Sequence, residues 1–287
     1  MASTPSPPQA PPPRLLTQPE KLARLHEEQV YPLFGQKLAD LLVANLSLPA
    51  RAHVLQIGCG LGTTTAEMLD QIDTEGRLIA VEGSSAFVER ARARVPPQGL
   101  GRRVFFRAHE PDSKLPFAED GFDCVLANVT LADLAVPTAF LAEIVRVTKP
   151  GGEIRLATPL AGTWHEFLDV YAEVLVRLRK SDVSKVLAGY VKSFPDPETV
   201  ALALEAAGTA RVEVESTHFE LVFRTGREFF YAPVIEHGPL SRWKAIAGKG
   251  PAVQDTFLAV KEAIDTYFSG IAFGVSVVAG RFAAVKL

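Results

Sequence analysis

Three glycines at alternate positions, Gly58, Gly60 and Gly62, interrupt an apolar run in VLQIGCGLGTTT, residues 54–65. Glycine accepts left-handed backbone and puts no side chain in the way. A loop of this kind between strand and helix therefore lets a ligand touch main chain at a helix N-terminus. Gly58 permits a sharp exit from the strand, Gly60 gives backbone access, and Gly62 admits a closely packed helix. Plain turns also use glycine, so a second feature is needed. Glu82 supplies it by ending the next apolar run, RLIAVE. A carboxylate there can accept hydrogen bonds from both ribose hydroxyls of an adenosine.

Two nucleoside cofactors compete for such a pairing. A dinucleotide site wants GxGxxG, but Thr63 stands where its last glycine belongs. The pattern favours a cofactor without a phosphate bridge, S-adenosylmethionine over NAD.

Positioning these groups calls for strands that alternate with helices. AHVLQI, residues 52–57, reads as a short buried strand, and TTTAEMLDQI as a helix that its leading threonines cap. RLIAVE and SSAFVERARARV repeat the unit, with Ser84 as cap. RVFFRA, FDCVLAN and EIRLATP are further strands, with a helix from Pro137 to Val147 before the last. KPGG, residues 149–152, is the turn between them, where Gly151 and Gly152 supply positive φ. This alternation implies a parallel sheet covered on both faces.

Upstream, apolar residues from Thr17 to Leu46 recur at helical intervals, and Pro32 divides them into two helices. Beyond Pro159, helix is predicted from Trp164 to about Gly189 and over DPETVALALEAAG, with Asp196 as cap. ARVEVESTHFELVF and GVSVVAGRFAAVKL alternate as strands, with a long helical stretch between them. The expected fold is α/β: a doubly wound, mostly parallel, seven-stranded Rossmann-like sheet with one antiparallel strand and added helices before the last strand. Residues 1–14, rich in Pro and Ser, have little to bury and are expected to be a disordered tail. Residues 15–287 are expected to form one domain: helices over 17–46, a cofactor-binding core over 52–159, and substrate-side elements over 160–287.

Composition narrows the partners. Apolar residues make up 47% and charged residues 22%, enough for a sizeable core. The net charge of −3 argues against a nucleic-acid partner. The densest basic stretch, ERARARVPPQGLGRR over residues 89–103, reads as a solvated helix face. Cys59 and Cys124 lie in apolar runs without ligand-like neighbours, so they read as buried thiols, with no metal site and a reducing cytoplasm as the expected setting. No apolar run is long enough for a membrane span, and the N-terminus lacks the basic start and apolar core of a signal peptide.

With these motifs assembled, the sequence resembles the class I S-adenosylmethionine-dependent methyltransferases of the small-molecule type. VLQIGCGLG resembles their first motif, LPFAEDGFDCVLANVTLADL (115–134) the stretch around their fourth strand, and EIVRVTKPGGEIRLATP (143–159) the helix–turn–strand that closes their core. The quinone-biosynthesis and malonyl-carrier-protein methyltransferases are the nearest types. The resemblance implies that Gln56, Gly58, Cys59, Gly60 and Gly62 line the cofactor's amino-acid and ribose portion and that Glu82 holds the ribose. It places Gly83 and Ser84 beside the adenine, and Asn128 and Val129 beneath the methionine part. Tyr31 lies where an N-terminal helix often closes the site, set against a plainer role as a core aromatic.

Three departures accompany it. Members usually carry an acid where this chain has Gln56. The acid facing the adenine amino group aligns with His109, Glu110 or Asp112. A fourth-strand histidine pair or Glu-His is replaced by Ala132 and Asp133.

A sulfonium is already an activated methyl donor, so such an enzyme mainly aligns its acceptor, and a base is needed only if the nucleophile holds a proton. No catalytic triad is visible and no catalytic residue is assigned. The substrate-side candidates are Asp133, Trp164, His165 and His237, set against plainer roles as helix cap, core aromatic, surface residue and helix end. The leading function is methyl transfer from S-adenosylmethionine to a small molecule or carrier-bound acid. The rival is a non-catalytic protein that keeps the fold as a ligand-sensing or interaction module, which Gln56 and the altered loop at residues 108–114 would favour.

Overall fold

A computed structural model describes residues 18–110, 113–134 and 136–287. The tail expected over residues 1–14 and Asp112 lie outside them.

The apolar runs form strands β1 (His53–Ile57), β2 (Arg77–Glu82), β3 (Val104–Ala108), β4 (Phe122–Asn128), β5 (Thr148–Pro159), β6 (Thr209–Phe223) and β7 (Phe273–Lys286). They join in one sheet of order β3-β2-β1-β4-β5-β7-β6. β1 pairs in parallel with both β2 and β4, so the chain order reverses at β1. In open α/β sheets ligands bind outside the strand ends at such a reversal. β7 is the antiparallel member, inserted between β5 and β6. Strands β1 and β4 are buried along nearly their whole length, which is why they read as continuous apolar runs rather than alternating ones.

Helices cover both faces. On one, α2 (Gln36–Val43), α3 (Thr63–Leu69) and α4 (Ser85–Arg94) bury Leu38, Leu42, Met68 and Val88 against Val54 and Leu78. On the other, α5 (Pro137–Val147) buries Phe140, Leu141 and Ile144 against Leu55, Ile57 and Val125. Each large apolar side chain buried in this way stabilises the fold by roughly 1.5–3 kcal/mol. Helix α4 is capped as expected, with the Phe87 N–H donating to Ser84 Oγ at 3.4 Å.

Four expectations are corrected. Pro32 does not divide the N-terminal segment. α1 (Gln18–Leu25) runs through a π-helical stretch, His26–Gly35, directly into α2. Proline lacks an N–H and crowds the turn before it, and a widened turn absorbs both defects; the Gln36 N–H reaches back to the Tyr31 carbonyl. The threonines do not cap α3, whose N-cap is Gly62 in the left-handed conformation. KPGG is not a free turn but an irregularity inside β5, where pairing with β4 slips between Phe122 and Cys124. Only Gly151 there has positive φ (77°); a Cβ on Gly152 would lie 2.8 Å from Thr148 Cγ2. The helix from Trp164 breaks into α6 (His165–Arg177) and α7 (Ser181–Val191), with Arg179 at positive φ (54°) between them.

α8 (Pro197–Ala206) is capped by Asp196, whose Oδ1 accepts from the Thr199 N–H at 2.7 Å. The long stretch before β7 folds as α9 (Gly226–Tyr231), α10 (Pro233–Glu236), α11 (Leu240–Ala247) and α12 (Pro251–Tyr267). These helices and α6 share a third cluster of buried residues, in which Phe167 stacks on Trp243 at 4.0 Å.

Candidate functional site

The glycine loop leaves β1 at the sheet's reversal, and each glycine answers a different demand. A Cβ on Gly58 (φ 69°) would sit 2.2 Å from the Asn128 carbonyl oxygen at the end of β4. A Cβ on Gly62 (φ 76°) would strike Ala91 Cβ at 2.7 Å, so this glycine admits α4. At Gly60 (φ 54°) an added Cβ meets nothing within 4 Å. Two glycines thus serve packing, and the third faces open space where a ligand could meet backbone.

Glu82 ends β2 beside this loop. Its Oε2 accepts from the Gly60 N–H at 3.0 Å and its Oε1 from the Ser84 N–H at 3.2 Å. Burial raises the carboxyl above its ordinary range, outweighing the N–H donors of Ser84, Gly60 and Gly83 that favour the charged form; Glu110 raises it further. The carboxylate joins the loop to the strand end and keeps lone pairs for a donor in the cleft.

A cavity of about 530 Å³ opens at these strand ends, lined by Gly58, Glu82, Gly83, Ser84, His109, Glu110, Asn128 and Val129 together with Ile57, Thr130, Asp133 and Leu134. The expected cofactor residues from β2, from β4 and from the loop after β3 are thus brought together. His109 is fixed by its N–H to the Glu82 carbonyl at 2.9 Å, and the Glu110 carboxylate lies against Gly83. Of the expected loop residues only Gly58 lines the cavity; Gln56, Cys59, Gly60 and Gly62 do not. Gln56 is 2% exposed and accepts from Thr65 Oγ1 at 2.6 Å, which turns it toward α3. Cys59 is buried, and desolvation with the nearby Glu82 charge pushes its thiol far up.

The N-terminal helical segment lies over the loop. Burial raises the Tyr31 phenol, against hydrogen bonds from Thr64 and Thr63 at the start of α3 that lower it. Tyr31 thus packs on the start of α3 and lines neither this cavity nor the smaller one beside it. The arginines of α4 are not merely a solvated face. Arg94 donates from Nε to the Leu61 carbonyl at 3.1 Å and pairs with Glu27, which Arg90 also meets at 3.0 Å. One guanidinium thereby ties the glycine loop to the segment above it.

A second, smaller cavity of about 170 Å³ adjoins the first and shares Thr130 and Asp133 with it. One wall of it is aromatic. Trp164, held at positive φ (65°) with its backbone N–H on the Ser276 carbonyl at 2.8 Å, stacks on Phe34 at 5.9 Å, and Tyr190 and Phe194 complete the wall. His26 and His237 line it from opposite ends of the sequence. Burial lowers the His26 imidazole below the ordinary histidine range, and His237 lowers it further. Its Nδ1 is buried without a hydrogen-bond partner. Burial raises the Asp133 carboxyl, and Arg242 lowers it. Tyr190 is pushed up to about 12, chiefly by burial.

Of the substrate-side candidates, Asp133, Trp164 and His237 meet in this cavity. His165 does not: its ring is exposed, with Nδ1 2.9 Å from the Gly162 carbonyl oxygen. Asp133 is not a cap of α5, whose N-cap is Val136 with no side-chain bond. Sequence reasoning missed His26, Phe34, Tyr190 and Phe194. For His26, Phe34 and Tyr190 the only signal was a polar or aromatic residue on a helix, and Phe194 lies in the loop between α7 and α8; ordinary packing also produces both.

Comparison with known proteins agrees with this geometry. The methyltransferase domain family matches residues 55–156, which run from β1 to β5. A demethylmenaquinone methyltransferase of Clavibacter sepedonicus is 32% identical over 173 residues, 57% of this chain and 68% of that protein. A malonyl-[acyl-carrier protein] O-methyltransferase of Halorhodospira halophila is 31% identical over 199 residues, 67% of this chain and 61% of its own length. Among solved structures, Haemonchus contortus phosphoethanolamine N-methyltransferase 2 with S-adenosylhomocysteine superposes with a TM-score of 0.54 at 16% identity, over 93% of this chain and 57% of that one. That likeness bears on the fold alone. The sheet order, the glycine loop with its strand-end acid, and the relatives in sequence agree: this chain belongs to the class I S-adenosylmethionine-dependent methyltransferase family.

Proposed function

We propose that the protein methylates a small acceptor, free or borne on a carrier, whose reacting head group fits the aromatic cavity beside the cofactor cleft. The observation that carries this reading is the pair of residues, Thr130 and Asp133, common to both cavities. S-adenosylmethionine, when bound, supplies a methyl group already activated on a sulfonium. The chain's own residues have the remaining tasks. Glu82, Gly60 and Ser84 suit the ribose end, with a charged acceptor and a loop that admits close approach. Asn128 and Val129 suit the end nearest the acceptor. The aromatic wall excludes water and fixes the acceptor's orientation, and orientation supplies much of the acceleration in such transfers.

A cavity of about 170 Å³ matches a single ring or an equally small group, since an apolar cavity of roughly 150 Å³ holds one benzene. His26 stands ready to take a proton from a hydroxyl or acidic carbon of the acceptor. Its lowered pKa keeps it neutral near pH 7, and Nδ1 has no competing partner. Two unpaired, buried thiols suit a reducing compartment, and we place the enzyme in the cytoplasm on that ground.

The test is production of S-adenosylhomocysteine from S-adenosylmethionine with a panel of single-ring hydroxylated acids and short carrier-bound acids. Val30→Trp, which fills the acceptor cavity, should abolish turnover while calorimetric binding of S-adenosylhomocysteine persists. His26→Asn should lower kcat with the same cofactor affinity and remove the acid limb of the pH–rate profile. Turnover unaffected by Val30→Trp would move the acceptor elsewhere.

A further inference from the structure

A third space is larger than either of these two. A groove of about 730 Å³ opens between α9, α11 and α12, lined on one wall by Glu236 and Leu240. The residues between them, His237, Gly238 and Pro239, face the acceptor cavity instead, so this turn separates the two spaces.

The groove has an apolar floor. Phe230 and Phe257 pack edge to face at 5.5 Å and are partly buried, while Tyr231 is 69% exposed and Leu258 56% exposed beside them. Exposed apolar side chains gathered in a concave site mark a place that something covers. The rim is cationic: Arg227, Lys244, Lys249 and Lys261 stand against the single carboxylate of Glu236. Lys261 is neutralised by Asp265 at 2.7 Å, and Arg227 lies 5.9 Å from the Tyr231 ring centroid. Lys244 and Lys249 have no carboxylate partner among the described residues.

We propose that this groove binds one molecule of an anionic amphiphile, a long-chain carboxylate, with its chain over Phe230, Tyr231, Phe257 and Leu258 and its head group at Lys244 and Lys249. Charge complementarity selects the anion: two unpaired ammonium groups stand above an apolar floor, where a carboxylate gains charge-assisted hydrogen bonds and the chain is removed from water. Size selects a small molecule, because the volume lies within the range of about 300–1,000 Å³ typical of small-molecule pockets.

The test uses laurate below its micelle concentration, titrated calorimetrically into the full chain, with dodecanol as the uncharged probe of similar length. Laurate should bind saturably with one site per chain, and dodecanol about tenfold or more weakly. The double charge reversal K244E/K249E should remove laurate binding, and Leu258→Asn should weaken it, with S-adenosylhomocysteine affinity and the circular dichroism spectrum unchanged. All these positions are exposed, so the variants should fold. Equal binding of laurate and dodecanol, or undiminished laurate binding to K244E/K249E, would overturn the proposal. So would binding to phosphatidylglycerol vesicles or to an acidic helical peptide without binding of monomeric laurate.

Discussion

The Thr65 hydroxyl of α3 donates to the side-chain Oε1 of Gln56 on β1 at 2.6 Å, and both residues are buried. This bond explains a glutamine in an otherwise apolar strand: the two polar groups satisfy each other where strand meets helix. It also sets what a charged replacement should do. Gln56→Glu should lower thermal stability, by about 1–3 kcal/mol for a carboxyl in a site built around a neutral amide. It should leave S-adenosylhomocysteine affinity within about threefold of the parent. A marked gain in affinity by calorimetry would show instead that the side chain reaches the cofactor's ammonium group.

With Glu82 at the ribose, as proposed above, cofactor binding should depend on pH. Burial raises its folded-state pKa, so just above the unfolded carboxylate range the folded state holds a proton that the unfolded state has lost. Its contribution to stability is therefore fully present below the unfolded pKa and fades as pH rises through the folded one. Cofactor binding has the opposite sign, because ribose hydroxyls donate best to the ionised carboxylate. Affinity should fall as pH drops through the raised pKa, and Glu82→Gln should flatten that profile and weaken binding by about 1.5–3 kcal/mol. Glu89→Ala, whose side chain is 77% exposed, should have no such effect. Equal dissociation constants for the two variants would remove Glu82 from the site.

Gly60 and Gly101 form a matched pair. Both have positive φ, 54° and 69°, and an added Cβ meets nothing within 4 Å at either. Valine at either position should cost about 1–2 kcal/mol of backbone strain and lower Tm similarly. Only Gly60→Val should abolish S-adenosylhomocysteine binding, because only there is the open space expected to be filled by ligand. If both variants bind normally, the glycine loop is a turn and nothing more.

Arg94 and Arg90 separate loop anchoring from charge pairing. Both reach Glu27, but only Arg94 also donates to the Leu61 carbonyl. Each pair is partly exposed, so either alanine variant should cost only about 0.2–1 kcal/mol of stability. Arg94→Ala should weaken cofactor binding about 2–5-fold more than Arg90→Ala, because it frees the glycine loop and the segment above it together. Indistinguishable affinities would show that the loop keeps its shape without this anchor.

What the sequence determined by itself was local. Burial leaves periodic traces, so β4 over Phe122–Asn128 and α5 over Pro137–Val147 were legible to the residue, as were the Ser84 and Asp196 caps. The glycine loop and Glu82 were legible because backbone access and a strand-end acid each demand particular residue types at neighbouring positions. Tertiary structure decided what depends on partners far away in the chain. The orientation of Gln56 needed Thr65 on a packed helix, and the continuity of helix through Pro32 needed a widened turn whose residues pack on the rest of the site. The smaller cavity is the clearest case: His26, Trp164 and His237 come from three distant segments and meet only when the N-terminal helix and the late helices close over the same strand ends. Spacing records which face of an element is buried. It carries no record of which distant element buries it, and the cavity proposed for the acceptor depends on such meetings.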